Sequence, residues 1–255
     1  MARRYERSRP RFYHLVAQRI ARRCFGNRRA RWPLAVDVAC GTGMFTVELA
    51  QLADRVIGID ASRAMLARAK PDPRIEYRAG DASRLGLDGG SANAITCGLA
   101  FHWLDQAAFL AEASRVLERR GWLIVFGDRC RWRYPGDAKR RLAAWSSLYL
   151  ERFPPVPRYH HNVRAKAAAR GGFAIAATER FVYRIPFSLD DFVEYLTTVS
   201  NVIAIAASRS SRLREARAWL RTSLRPIFAG RPLEIEFGCS IQYLRKQRWG
   251  RRVSG

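Results

Sequence analysis

The chain has almost no lysine. Lys70, Lys139, Lys166 and Lys246 are the only four among 46 basic residues, which leaves 42 arginines. Set against 22 acidic residues they give a net charge of +24, a balance that raises nucleic acid as a partner. The excess is spread along the whole length, with modest clusters at 3–11, 19–31, 129–141 and 245–252. A cation population that is nearly all arginine and not concentrated reads as a solvated basic surface, so a nucleic-acid partner is not favoured. Also missing is any run of about 18 apolar residues, which argues against a membrane span. The basic N-terminus lacks the apolar core of a secretory signal. The five cysteines (Cys24, Cys40, Cys97, Cys130, Cys239) form no CxxC pair and lie on unrelated segments. They predict reduced thiols in a cytoplasmic protein, with no disulfide framework and no metal site. There is no internal repeat and no low-complexity tract. At 255 residues the chain can bury the core of one α/β domain and still carry an insertion.

What is present is a strand–helix alternation in the first half. Helical spacing of Phe12, Leu15, Val16 and Ile20 predicts a helix within 10–25. Strands are predicted at Ala35–Ala39, Arg55–Ile59, Ile75–Arg78, Ala94–Cys97 and Trp122–Phe126. Helices are predicted at Met44–Leu52, from a Ser62 cap to Lys70, and at Gln106–Glu118 with Gly121 as its end. This rhythm predicts a parallel sheet with right-handed crossovers. After Asp128 the rhythm changes. Helices are expected at Ala138–Leu150, before Gly171-Gly172, after a Ser188 cap and at Arg209–Leu224. Strands are expected at Phe181–Phe187 and Leu233–Tyr243, an antiparallel hairpin closing one sheet edge.

The most informative segment is Asp37-Val38-Ala39-Cys40-Gly41-Thr42-Gly43. It lies where the first strand ends and an amphipathic helix begins. Two glycines there permit positive φ and close backbone approach to a ligand. The helix start turns N–H groups and the positive dipole end toward that ligand. This is the place of a nucleotide site in an open α/β sheet. A dinucleotide fingerprint requires a third glycine three residues after Gly43, and Thr46 stands there. The pattern that fits is an Asp in the first strand, a small-residue turn, an acid closing the second strand (Asp60) and another closing the third (Asp81).

VDVACGTG, VIGID and AGDAS, in that order and spacing, resemble three motifs of the class I S-adenosylmethionine-dependent methyltransferases. The resemblance covers 35–128. It implies an α/β, Rossmann-like, mostly parallel seven-stranded sheet with helices on both faces, an antiparallel last strand and a helical cap insertion. The implied organisation is a single domain over 1–255: an N-terminal lid or helix (1–30), a cofactor-binding core (31–128), a cap and sixth-strand region (129–232), and a last strand with basic tail (233–255). The implied cofactor is S-adenosylmethionine. Asp60 would accept from the ribose hydroxyls, though its place before Ala61-Ser62 also suits a helix cap. Asp81, with Ala82, would face the adenine amine. Asp37 would hold the turn or face the methionine portion, and Ala39, Cys40, Gly41 and Gly43 would line it. Ala39 stands where the family often has its first glycine.

Two further segments resemble the small-molecule type, grouped with ubiquinone/menaquinone and trans-aconitate methyltransferases. One is TCGLAFHWLD, Thr96–Asp105, in which Leu99 and Ala100 would flank the cofactor. The other runs from Tyr5 to Pro10, where Tyr5 and Arg9 would fold over it; LDDFVEYLTTVSN, Leu189–Asn201, is a looser match. Neither the Asn/Asp-Pro-Pro-aromatic tetrapeptide nor the Pro-Cys context of nucleic-acid branches is present. The expected reaction is an O- or C-methylation of a small-molecule substrate by in-line displacement. His102 is the candidate base, or a residue that shapes the pocket. Trp103, Trp132 and Tyr159 are candidate walls of the acceptor site, while His160-His161 reads as a surface loop. The competing readings are an RNA methyltransferase, on charge, and a protein that binds the cofactor without transferring methyl.

Overall fold

A computed structural model describes residues 8–9, 11–130, 138–155, 161–206 and 210–247. Its strands are β1 (Trp32–Val38), β2 (Ala53–Asp60), β3 (Ile75–Ala79), β4 (Ala92–Gly98), β5 (Leu117–Cys130), β6 (Phe173–Phe187) and β7 (Leu233–Lys246). Its helices are α1 (Tyr13–Phe25), α2 (Met44–Leu49), α3 (Arg63–Leu66), α4 (Gln106–Val116), α5 (Ala138–Arg152), α6 (Ala165–Arg170), α7 (Leu189–Leu196), α8 (Ser200–Ala206) and α9 (Ser210–Phe228). The seven strands form one sheet in the order β3-β2-β1-β4-β5-β7-β6. Strands β1 to β5 pair in parallel, and the last strand is antiparallel. The topology therefore agrees with the seven-stranded Rossmann-like sheet that the sequence predicts. Among the described residues no helix is long and apolar enough to cross a membrane.

The chain divides into two compact units. The larger comprises Phe12–Gly127, Arg158–Arg180 and Ser240–Gly255, and the smaller comprises Met1–Arg11, Asp128–Pro157 and Phe181–Cys239. In the larger unit, Val36, Val38, Ile57, Ile59, Ile95, Leu123 and Val125 are buried with Phe109, Leu110, Ala113 and Val116 of α4. Strands covered on both faces need such continuous apolar runs, and the edge strand β3 lacks one: Glu76 there pairs with Arg55 and Arg78. Asp105 caps α4 by accepting the Ala107 and Ala108 N–H groups at 3.0 Å, a cap worth about 1 kcal/mol.

In the smaller unit, Trp145, Tyr149 and Phe153 of α5 are buried. Trp145 stacks on Tyr149 and on Trp219 of α9, with ring centroids 5.3 and 6.0 Å apart. These aromatics form the unit's own core.

Two helix ends differ from the sequence expectation. The helix begun at Ser62 is α3 alone; beyond Leu66 the chain closes with turns in which the Arg68 and Ala69 N–H groups reach back three residues, to Met65 and Leu66. Helix α4 stops at Val116, and Gly121 is not its end. Leu117 leaves the helix to pair with Ala92. Gly121 is required by crowding, since a Cβ there would lie 2.9 Å from the Leu117 side chain.

Candidate functional site

Strand register explains how the site is assembled. Tyr77 of β3 pairs with Gly58 of β2, Gly58 with Asp37 of β1, and Asp37 with Thr96 of β4. Paired positions in a parallel sheet point to the same face, so one row places Tyr77, Gly58, Asp37 and Thr96 side by side. Asp37 is the one acid in the apolar β1 run and is 2% exposed. It accepts hydrogen bonds from the Thr46 hydroxyl at 2.7 Å and the Thr96 hydroxyl at 2.8 Å. Burial pushes its carboxyl up to about 6, against the pull of the two hydroxyls. Asp37 thus holds the turn by tying the first turn of α2 to β1 and β4.

The turn itself runs through four left-handed or near-left-handed positions. Ala39 has φ 56°, Gly41 59° and Gly43 72°, and Leu99 at the end of β4 has φ 58°. Ala39 therefore occupies a conformation that favours glycine, at a cost of about 1 kcal/mol. Gly43 is needed for a reason the sequence did not reveal. A Cβ there would lie 2.2 Å from the Tyr77 hydroxyl, and one on Gly58 would lie 2.8 Å from the Tyr77 ring and 3.2 Å from Cys40 Sγ. The two glycines make room for Tyr77. Cys40 is half-buried; burial, with Asp37 and Asp60 adding to it, pushes its thiol up, so it stays neutral.

Asp60 ends β2 beside this turn. Its Oδ2 accepts the Gly41 N–H at 2.7 Å and its Oδ1 the Ser62 N–H at 2.8 Å. Helix α3 is capped by Ser62, whose hydroxyl accepts the Met65 N–H. Each carboxylate oxygen can accept two hydrogen bonds, so half-buried Asp60 keeps acceptor capacity on both. Asp81 is exposed. Its Oδ1 accepts the Ser83 N–H at 2.7 Å and hydroxyl at 2.6 Å, which hold its carboxyl below the usual range and leave Oδ2 for a ligand. Ala61 is exposed, while Ala82, Leu99 and Ala100 are half-buried. These residues suit S-adenosylmethionine: a glycine-containing turn, two carboxylates with spare acceptor positions, and no competing cation in the printed hydrogen bonds of Asp60 or Asp81.

Past β4 the chain makes a single 3-10 turn, Phe101–Trp103. His102 is buried there, whereas Trp103 is 55% exposed; their ring centroids lie 5.2 Å apart. Arg9 belongs to the smaller unit, where its guanidinium donates to the Thr198 carbonyl at 3.0 Å and lies over the Tyr195 ring. Tyr5, Trp132 and Tyr159 lie outside the described residues. Thr46, Thr96 and Tyr77 escaped the sequence reading. A hydroxyl inside an apolar strand (Thr96) and a glycine mid-strand (Gly58) were the available signals, but only register connects them.

Comparison with known proteins bears on this geometry. Residues 36–125 match the methyltransferase domain family. Those residues are a methyltransferase domain. The domain and its fold imply S-adenosylmethionine as methyl donor. The chain is 36% identical over 93 residues to a provisionally named methyltransferase of Dictyostelium discoideum, covering 36% of this chain and 35% of that protein. It is 34% identical over 128 residues to demethylmenaquinone methyltransferase of Deinococcus radiodurans, covering 47% and 51%. It spans between about a third and a half of the length of these curated relatives. Among solved structures, a provisionally assigned type II methyltransferase of Anaeromyxobacter dehalogenans superposes with TM-score 0.65 at 23% identity, over 93% of this chain and 97% of that one. The cyclase SpnF superposes with TM-score 0.56 at 20% identity, over 92% and 81%. These two likenesses establish the fold.

Proposed function

We propose that the chain transfers a methyl group from S-adenosylmethionine to a small metabolite, by O- or C-methylation. The observation that carries this reading is the clamp of Asp60 on the Gly41 N–H at 2.7 Å. It fixes a carboxylate with unused acceptor positions beside the turn of a methyltransferase domain. A relative whose name gives demethylmenaquinone as its acceptor supports the small-molecule class.

Bound S-adenosylmethionine supplies an electrophilic methyl group on a sulfonium. The work of the chain is alignment and exclusion of water. Asp60 accepts from the ribose hydroxyls and Asp81 from the adenine amine. Ala39 to Gly43 provide the surface between them. His102 takes the proton of an acceptor hydroxyl or carbon, and exposed Trp103 is an apolar wall at the acceptor side.

Methyl-labelled cofactor incubated separately with a metabolite extract and with total RNA tests the reading. Label in the small-molecule fraction is the expected result. Label confined to RNA would overturn it in favour of the reading that the +24 charge suggests. Cofactor binding by calorimetry with no label transferred to either pool would place the chain with fold-sharing proteins that do other chemistry, as the cyclase SpnF does by its name.

A further inference from the structure

His102 and His161 lie ring against ring. Their centroids are 4.2 Å apart and their planes inclined at 43°. The two residues come from segments 59 positions apart in sequence numbering (102 to 161) yet belong to the same compact unit. The contact is built, not incidental to a free loop. Two residues beyond His161, Val163 is held by a buried Gln242 of β7: its N–H donates to Gln242 Oε1 at 2.6 Å and its carbonyl accepts from Gln242 Nε2 at 3.1 Å. Between them, Asn162 Oδ1 accepts from the Ser240 hydroxyl at 3.1 Å. Three bonds to β7 therefore fix the backbone that presents His161.

We propose that His161 is a positioning residue for His102, and that the two rings carry one proton between them near neutral pH, on His161. The proposal rests on the base role given to His102 above. At 4.2 Å an imidazolium lies favourably on a neutral aromatic ring, whereas two imidazolium rings repel, so the pair titrates as a coupled unit. Burial disfavours the charged form. His102 is 8% exposed and His161 is exposed, so the proton resides on His161 and His102 stays neutral. The charged and titratable groups on the neighbouring elements do not reverse this. Asp105, three residues along, is committed to the α4 N–H groups. Cys97 on β4 is a neutral thiol, pushed up by burial. A neutral His102 is the form able to accept a proton from an acceptor, and the imidazolium of His161 beside it favours an acceptor that develops negative charge, such as an enolate or a phenolate.

Imidazole carbon–proton NMR of the full chain tests this without relying on turnover. The chain has four histidines, so single His→Gln variants assign every signal. In the unmodified protein the His102 midpoint is expected below the ordinary value of about 6.5, with His161 above it. In His161→Phe, which keeps an aromatic face but no charge, the His102 midpoint is expected to rise by about one pH unit. His161→Gln provides the same reading if the phenylalanine disturbs folding. An unchanged His102 midpoint in both variants, or a His161 midpoint below that of His102, overturns the proposal. The acidic limb of the kcat/KM profile should move with the NMR midpoint. A shifted midpoint without methyl transfer keeps this inference and removes the proposed function. Methyl transfer with an unmoved midpoint does the reverse.

Discussion

The Thr46 hydroxyl donates to Asp37 Oδ2 at 2.7 Å, inside the protein, between the first strand and the helix that follows it. With the Thr96 hydroxyl at 2.8 Å on Oδ1, it makes Asp37 the tie that holds the glycine-containing turn onto three elements. Burial nevertheless outweighs the two donors, so the carboxyl titrates at about 6 instead of its ordinary 3.8.

Asp37 consequently makes stability depend on pH with a definite sign. The folded chain binds the proton more tightly than the unfolded chain, so this contribution is fully present below about 4. It falls as pH rises through the window from about 4 to about 6 and is lost above it. The upper limit is about 3 kcal/mol. Urea unfolding across that window should show the decline, and Asp37→Asn should flatten it. An equal slope in both proteins would remove Asp37 as its source.

Gly43→Ala should weaken both the fold and cofactor binding. The residue sits at φ 72° and its new Cβ would meet the Tyr77 hydroxyl at 2.2 Å. We expect a loss of about 2–3 kcal/mol from strain and overpacking. The double variant Gly43→Ala/Tyr77→Ala separates the two causes. Relative to Tyr77→Ala alone, adding the alanine at 43 should then cost only the φ term, about 1 kcal/mol. A cost as large as in the Tyr77 background would show that crowding plays no part.

Ala39→Gly should stabilise the protein. Relief of φ 56° outweighs the added freedom of the unfolded chain by about 0.5–1 kcal/mol, which is about 2 °C in the thermal midpoint for a chain of this size. Differential scanning calorimetry measures it directly. A lower midpoint would mean that the alanine methyl makes packing contacts worth more than the strain.

Asp60→Ala should cost cofactor affinity about 100-fold by calorimetry, from two charge-assisted hydrogen bonds and from loss of the Gly41 anchor. Asp60→Asn retains an acceptor oxygen for Gly41 and should fall between the two. Unchanged affinity in Asp60→Ala would leave the residue only its local role of binding the Gly41 and Ser62 N–H groups.

The sequence by itself determined the class of this protein. Alternating apolar runs and helical periods specify a parallel sheet, because both kinds of element bury faces of predictable spacing. The chain-local markers Asp37, Gly41, Gly43, Asp60 and Asp81 sit at strand ends, where connectivity alone puts them on one edge of that sheet. Tertiary structure decided what depends on register and on approach between distant segments. Thr96 looked like an ordinary strand residue until pairing set it beside Asp37. Gly43 read as room for a ligand, and the fold shows Tyr77, 34 positions later, occupying the space that its Cβ would take. His161 read as loop surface until its ring was placed 4.2 Å from that of His102. A local pattern encodes the burial and turn preferences of neighbouring residues; it carries no information about which side chain from another strand will meet them.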